Sequence, residues 1–544
     1  MEILNLSLPA ANRFATDYMA GSPVLQSFFH YNYKDGASYE KRLAELGKRS
    51  FYRQEIAGHI ERFMARYPTS EKVAKSIEKL KKPDSAVIIG GQQAGLLTGP
   101  LYSVHKVISI IKLAEQKEKE LGVPVVPVFW IAGEDHDYQE VNHVYVLKDN
   151  KPEKWVYPEK VLDKKMVTDI PLNREACLSW VTSIFETFGE THHTNQLLDF
   201  AGRIISTSET FVDFFASIIM ELFKDHGLLI VDSGNRDLRR LESEFFIKQI
   251  NSFDRITRSV FAQQEKTEAA GYRKTIEING DTANLFYYDE THQERILLHA
   301  DPETGLFFGK NGEVQFTKEE LLRIAEEYPE RLSNNVVTRP LMQEWIFPTL
   351  AFIGGPGEIA YWSELQLVFE NVGICMPPLV PRLNITILDR SIETDLSELG
   401  LDLKTAIASG TGQNELKYIE SLKDRELEEY FQTAKEQLIS QYQLIRSKTE
   451  QVDKGLLPLL AKNEAMLLKQ IEFMEGKIDE SVCRKHDHIL NKFNRVENAL
   501  RPAGSPQERI WNPFYYLNTY GLHFISDLLS LHYEFDGTHK VIKL

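Results

Sequence analysis

A series of short apolar runs, each closed by glycine, constrains this chain more than any other feature. Ala86-Val87-Ile88-Ile89 leads into Gly90-Gly91-Gln92-Gln93-Ala94-Gly95, and Val125-Val126-Pro127-Val128-Phe129-Trp130-Ile131 leads into Gly133-Glu134-Asp135-His136-Asp137. Leu228-Leu229-Ile230-Val231 precedes Asp232-Ser233-Gly234, and Leu350-Ala351-Phe352-Ile353 precedes Gly354-Gly355-Pro356-Gly357. Uninterrupted runs of this length fit strands covered on both faces, as in a parallel sheet. A further run at 374–379 is shortened by Pro377, Pro378 and Pro381. After Gly99-Pro100, the residues Leu101, Val104, Val107, Ile108, Ile111 and Ala114 recur at helical spacing, so strand, glycine loop, helix and strand make a βαβ unit. The expected fold class is α/β, and ligands of such a sheet bind outside the carboxyl ends of its strands.

The remaining chain sorts by composition. At 544 residues, 42% of them apolar, it exceeds what one hydrophobic core usually supports. Residues 1–82 read as helices packed around the first strand, with a charged helix near 39–49. Two inserts are expected at about 145–215 and 255–330 within a core spanning 1–390. From 391 to 500 the chain turns charge-rich, glycine-poor and helical. Leu427, Phe431, Ala434, Leu438, Tyr442 and Ile445 step by three or four residues, as do Ile471, Met474, Ile478, Val482, Ile489, Phe493, Val496 and Leu500 after one break. These predict an antiparallel helical hairpin whose seam is irregular near His486. An aromatic tail, 501–544, follows Pro502 and is expected to pack back on the core.

Charge and cysteine usage exclude several functions. Lys+Arg 63 against Asp+Glu 79 gives a net charge of -16, which repels phosphate backbones and argues against nucleic acid as a partner. The 3 cysteines, Cys177, Cys375 and Cys483, form no CxxC pair, so neither a disulfide framework nor a thiolate zinc site is expected. The first residues lack the pattern of a secretory signal and no stretch suits a membrane span, so a cytoplasmic protein is expected.

The strand ends carry the candidate chemistry. The loop 90–99 fits neither GxxxxGK[ST] nor GxGxxG, yet its glycines let backbone amides approach an anion while Gln92 and Gln93 add neutral hydrogen-bonding groups. Asp135, His136 and Asp137 crowd carboxylates and an imidazole into one turn, an arrangement that can leave one group a usable general base. Asn142 follows soon after. The spacing matches neither HExxH nor an EF-hand, so no resident metal is expected, although magnesium can accompany a nucleotide. Arg339 is either a clamp for a carboxylate or phosphate or a salt bridge to the acidic loop. Gly355, Gly357 and Glu358 belong to a second backbone-exposing loop. His105 lies in the first helical turn after Pro100, where an anionic ligand would explain a cation at a helix start. Arg382, Asn384, Trp511, Asn512 and Tyr516 suit either an adenine pocket or a cluster that fastens the tail.

Taken together, 91–102, 129–137, 334–344 and Pro381-Arg382-Leu383-Asn384 closely resemble the bacillithiol biosynthesis cysteine ligase family, BshC, through essentially the whole chain. The resemblance implies a Rossmann-like core with two connecting-peptide inserts, in the manner of class I aminoacyl-tRNA synthetases, plus a coiled-coil domain that makes a homodimer. It also implies addition of L-cysteine to the amine of glucosaminyl-malate, the last step in making this low-molecular-weight thiol. An ADP site on the coiled-coil and tail side of the core is implied as well, and Arg382, Asn384, Trp511, Asn512 and Tyr516 are its candidates.

Amide formation in water needs an activated carboxyl group, so ATP is the expected activator, through an acyl phosphate or an adenylate. In that scheme Gly91, Gln92, Gln93 and the 355–357 loop stabilise negative charge. One of Asp135, His136 and Asp137 takes the amine proton, and Arg339 holds malate carboxylates or phosphate. The alternatives are an adenylate-forming ligase for another amino acid and a nucleotide-sensing dimeric scaffold.

Overall fold

The computed structural model describes residues 1–544 apart from 162, 163, 302, 311 and 313, none of which is a candidate site residue. The chain divides into two compact units, Met1–Ile387 with Gln507–Leu544, and Leu388–Pro506.

At the centre of the first unit lie β1 (Ala86–Gln92), β2 (Val125–Ile131), β3 (Leu229–Asp232), β4 (Thr349–Gly354) and β5 (Leu379–Pro381). Their order is β5-β4-β1-β2-β3 with every pairing parallel. Val87, Ile88, Val126, Phe129, Ile230 and Val231 are fully buried, which is why these runs have no polar alternation. Successive strands build outward from β1 in opposite directions, so the β1/β4 boundary is the switch point at which such sheets open a crevice. Gly91 sits opposite Trp130 in the ladder, and a Cβ there would come within 2.9 Å of the Trp130 carbonyl oxygen. Only glycine lets the strands stay paired to their ends.

Helix α1 (Leu101–Leu121) returns from β1 to β2 and buries Val104, Val107, Ile108 and Ile111 against the sheet. Between β2 and β3 the chain forms the hairpin His143–Lys148/Lys151–Val156 and the helices Arg174–Phe188 and Thr194–Thr207. Between β3 and β4 come α2 (Arg236–Ala269) and an antiparallel sheet that includes Thr282–Asp289, Glu294–Ala300 and Leu332–Asn334. Helix α3 (Arg339–Ile346) precedes β4, and α4 (Pro356–Trp362) follows it.

The beginning of the chain differs from the helical expectation. Glu2–Leu6 is a strand, antiparallel to His539–Lys543, which in turn pairs with Ile385–Leu388. A strand whose partner lies at the other end of the chain leaves no hairpin signal in its own neighbourhood. Helices follow from Arg13, and the one expected at 39–49 is Gly36–Leu46, begun by the Asp35 side chain accepting from Ala37 N.

In the second unit α5 (Arg425–Val452) and α6 (Leu457–Lys485) form the hairpin, joined by a turn at Lys454–Leu456. Lys435–Glu475, Arg446–Glu464 and a Tyr442–Asn463 hydrogen bond cross it. The irregularity near His486 is a real break: this residue ends α6 at φ -106 and separates it from α7 (Asp487–Leu500). Among the described residues, no helix is long and apolar enough to cross a membrane.

Candidate functional site

The carboxyl ends of β1, β2 and β4 open onto a cleft of about 380 Å³. Gly91, Gln92 and Gln93 line it from β1, Asp135 from the loop after β2, and Arg339 from α3. Gly355, Gly357 and Glu358 line it from the turn after β4, and Arg382 from the end of β5. Residues far apart in the chain meet because parallel strands deliver all their carboxyl ends to one edge.

A ladder of alternating charge holds Arg339 in place. Its Nε donates to Glu134 Oε1 at 2.7 Å and its fork engages Asp135. Glu134 Oε2 accepts from Arg239 Nη2 at 3.1 Å and from Asn334 N at 3.2 Å. Behind Asp135 stands Arg295, from the antiparallel sheet, with Nη1 3.5 Å from Oδ1. The salt-bridge reading of Arg339 therefore holds, and the residue also lines the cleft. Gly133 allows the loop to turn here, because a Cβ would lie 2.0 Å from Asp232 Oδ1.

These contacts correct the roles expected in the acidic loop. Burial alone would raise the Asp135 carboxyl, but Arg339 and Arg295 outweigh it and hold it below the usual carboxylate range, so it is a weak base. His136 does not line the cleft. Its ring lies edge-on to Phe286 at 6.1 Å, and Nδ1 is 3.4 Å from Arg295 Nη1, which can only donate. Burial and Arg295 lower its pKa. Asp137 is exposed outside the cleft at the start of Tyr138–Val141, and Asn142 is buried at that helix's end. Once the chain begins to coil, neighbouring residues point in different directions, so one turn of sequence does not stay one cluster.

The His105 and tail assignments also change. His105 is fully buried, and the anion beside Nδ1 is the protein's own Glu508, at 3.1 Å. Lys106, the next residue, reaches the site instead, with Nζ 2.6 Å from both Gly91 O and Glu358 Oε2. Burial lowers its pKa and Glu358 partly restores it. Arg382 binds both oxygens of Glu508 through its two terminal nitrogens.

Trp511, Asn512 and Tyr516 are buried and absent from the cleft lining, and their contacts are those of a cluster that fastens the tail. Trp511 O accepts from Leu101 N at 2.8 Å, and Tyr516 stacks on Phe524. Asn512 spends its whole amide: Nδ2 donates to Leu97 O and Gly99 O at 2.9 and 2.7 Å, and Oδ1 accepts from Phe514 N. Asn384 is outside the lining, its carbonyl accepting from Lys540 N.

Several site residues escaped the sequence reading. Lys106 was named only beside His105, although one residue is about 100° on a helix, enough to exchange buried interior for cleft. Arg295 and Arg509 left no local signal, because their relevance comes from contacts across the fold. Among the described residues no group of three or more His, Cys, Asp or Glu side chains could hold a metal ion. The mixture of cations, carboxylates and the side-chain amides of Gln92 and Gln93 suits a small, polar, multiply charged molecule.

Glu242, on α2 behind the ladder, gives a pH test of this arrangement. Burial pushes its carboxyl up to about 8 from an ordinary 4.5, despite Arg239. Folding therefore takes up a proton between about pH 4.5 and about pH 8, and unfolding free energy falls as pH rises through that window. Glu242→Gln is expected to remove this slope, leaving the variant more stable than the parent above pH 8. Denaturant titrations across the range would contradict it by giving both proteins the same slope.

Residues 1–383 match the family described as Bacillithiol biosynthesis BshC, N-terminal Rossmann-like domain, and 385–544 match its C-terminal coiled-coil domain. A relative from Geobacillus sp. (strain WCH70), named "Putative cysteine ligase BshC", is 45% identical over 542 residues and covers 100% of both chains. Relatives of the same name from Geobacillus thermodenitrificans (strain NG80-2) and Bacillus cereus (strain AH187) are 45% and 41% identical, again over 100% of each chain.

Proposed function

This chain belongs to the BshC family of bacillithiol-biosynthesis proteins, and on that premise we propose that it is a cysteine ligase joining the carboxyl group of L-cysteine to the amine of glucosaminyl-malate. The observation that carries the reading is the convergence of Gln92, Gln93, Arg339, Glu358 and Arg382 on one cleft at the sheet's switch point.

ATP supplies the activation as co-substrate, accepting attack by the cysteine carboxylate to give an acyl phosphate with loss of ADP, or an adenylate with loss of pyrophosphate. The glucosamine nitrogen then attacks the acyl carbon, the carbon–oxygen bond to phosphorus breaks, and phosphate or AMP leaves. Gln92, Gln93 and the Gly357 N–H donate hydrogen bonds to the developing negative charge. Arg339, fixed by Glu134 and Asp135, orients an anionic group, and Arg382, fixed by Glu508, does so at the β5 side. With Asp135 committed to its arginines and Glu358 to Lys106, the amine proton goes to the remaining cleft carboxylate, Glu140.

The reading extends to a homodimer formed through the hairpin. Two helices alone cannot cover their own apolar side chains, and Leu444, Leu459, Met466 and Phe473 remain exposed. Phe473→Asp should then halve the mass measured by sedimentation. The activity itself is tested by incubating the purified protein with cysteine and glucosaminyl-malate, with and without ATP, and following the conjugated thiol by mass. Product is expected only with ATP; its absence under all conditions would reject the ligase reading.

A further inference from the structure

The cleft carries the cations Lys106, Arg339, Arg382 and Arg509, and all but the last are spent inside the protein. Lys106 is held by Gly91 O and Glu358, Arg339 by Glu134 and Asp135, and Arg382 by Glu508. Arg509 is exposed, and among the described residues its guanidinium has no hydrogen bond, ion pair or ring contact. Of the cleft's carboxylates, Asp135 and Glu358 are spent in the same way, whereas the exposed Glu140 has no side-chain partner among the described residues.

The backbone under Arg509 is nevertheless anchored on both sides. Gln507 exchanges two hydrogen bonds with the Ile387 backbone, each 2.8 Å, and Glu508 locks onto Arg382. Beyond it, Trp511 O accepts from Leu101 N and Asn512 holds Leu97 O and Gly99 O. A guanidinium on so fixed a base loses little freedom on meeting a carboxylate, which it can engage through two parallel N–H groups. Arg509 and Glu140 both act electrostatically on the half-buried Tyr102 phenol, and among the described residues no ion pair joins them to each other. One unspent positive and one unspent negative group thus line the same cleft around the same tyrosine.

We infer that Arg509 and Glu140 are a specificity pair for a small zwitterion, Arg509 taking its carboxylate and Glu140 its ammonium group. This deepens the ligase reading and rests on it for the choice of molecules, since L-cysteine and glucosaminyl-malate each carry both charges. A nucleotide lacks the ammonium group and is excluded as the molecule so read.

Calorimetry on the full chain tests the pair without any turnover. The probes are L-cysteine, 3-mercaptopropionate, which lacks the amine, and cysteamine, which lacks the carboxylate. A second arm uses glucosaminyl-malate and its N-acetyl derivative. Arg509→Gln is expected to weaken cysteine and 3-mercaptopropionate on the order of tenfold to a hundredfold, leaving cysteamine unchanged. Glu140→Gln should weaken cysteine and cysteamine alike and spare 3-mercaptopropionate. If the acceptor is the molecule read, both variants weaken glucosaminyl-malate instead, and only Arg509→Gln weakens its N-acetyl form. Arg258→Gln, far from the cleft in sequence and exposed on α2, is the control and should match the parent. The inference is overturned if neither variant changes any of these affinities, if both weaken every probe equally, or if only ATP binding suffers. A protein that binds the zwitterion through this pair yet makes no amide would refute the ligase reading alone.

Discussion

Glu134→Ala is expected to be the most damaging single substitution in the site, lowering stability by about 3–5 kcal/mol and turnover by more than about a hundredfold. Glu134 is 1% exposed and lies between two guanidiniums, accepting from Arg339 Nε at 2.7 Å and from Arg239 Nη2 at 3.1 Å. Its removal leaves Arg239, also 1% exposed, with Glu242 as its near carboxylate, at 3.6 Å and itself pushed toward the neutral form by burial. An uncompensated buried charge costs far more than the pair itself contributes. Glu134→Gln keeps the shape and an acceptor oxygen, so it should fold while turnover falls, because Arg339 loses half of its carboxylate support. Urea unfolding and steady-state rates on both variants separate the effects. A Glu134→Ala protein as stable as the parent would show that the ladder is incidental.

Asn512→Ala is expected to cost about 2–4 kcal/mol and to slow turnover although Asn512 touches no cleft surface. Its side chain caps the helix Pro513–Tyr520 and holds two carbonyls of the 95–100 loop. That loop needs holding, because Leu97 and Thr98 have φ 50 and 70, a left-handed region unfavourable for residues with a Cβ. Without the amide donors two buried carbonyls lose their partners and the loop relaxes toward ordinary dihedrals, carrying Gln93 with it. Asn512→Asp is the sharper test, since it keeps the capping acceptor but turns a carboxylate toward two carbonyl oxygens. It should be at least as unstable as the alanine variant; parental stability would disprove the clamp.

The clamp also shows where local reading stops. Trp511 and Asn512 have the composition of a nucleotide pocket and the contacts of a fastener, and nothing in 501–520 distinguishes these uses. In the acidic loop four successive polar residues look equivalent, yet Glu134 is interior, Asp135 bridges arginines in the cleft, His136 faces Phe286 and Asp137 meets solvent. Lys106 gains its meaning from partners at 91 and 358, and Arg509 from the lack of one among the described residues, distinctions made by distance rather than by residue type.

Periodicity and glycine placement were enough to establish a parallel sheet, its helical returns, the hairpin and the edge at which chemistry gathers, because these follow from solvation of each segment and from local backbone freedom. Motif strings were enough for the family. Which charges are consumed in pairs, which remain available, and what the tail residues hold in place were decided only by the folded chain. Ion pairing and burial depend on what arrives from elsewhere in space, and a one-dimensional pattern holds no record of those arrivals.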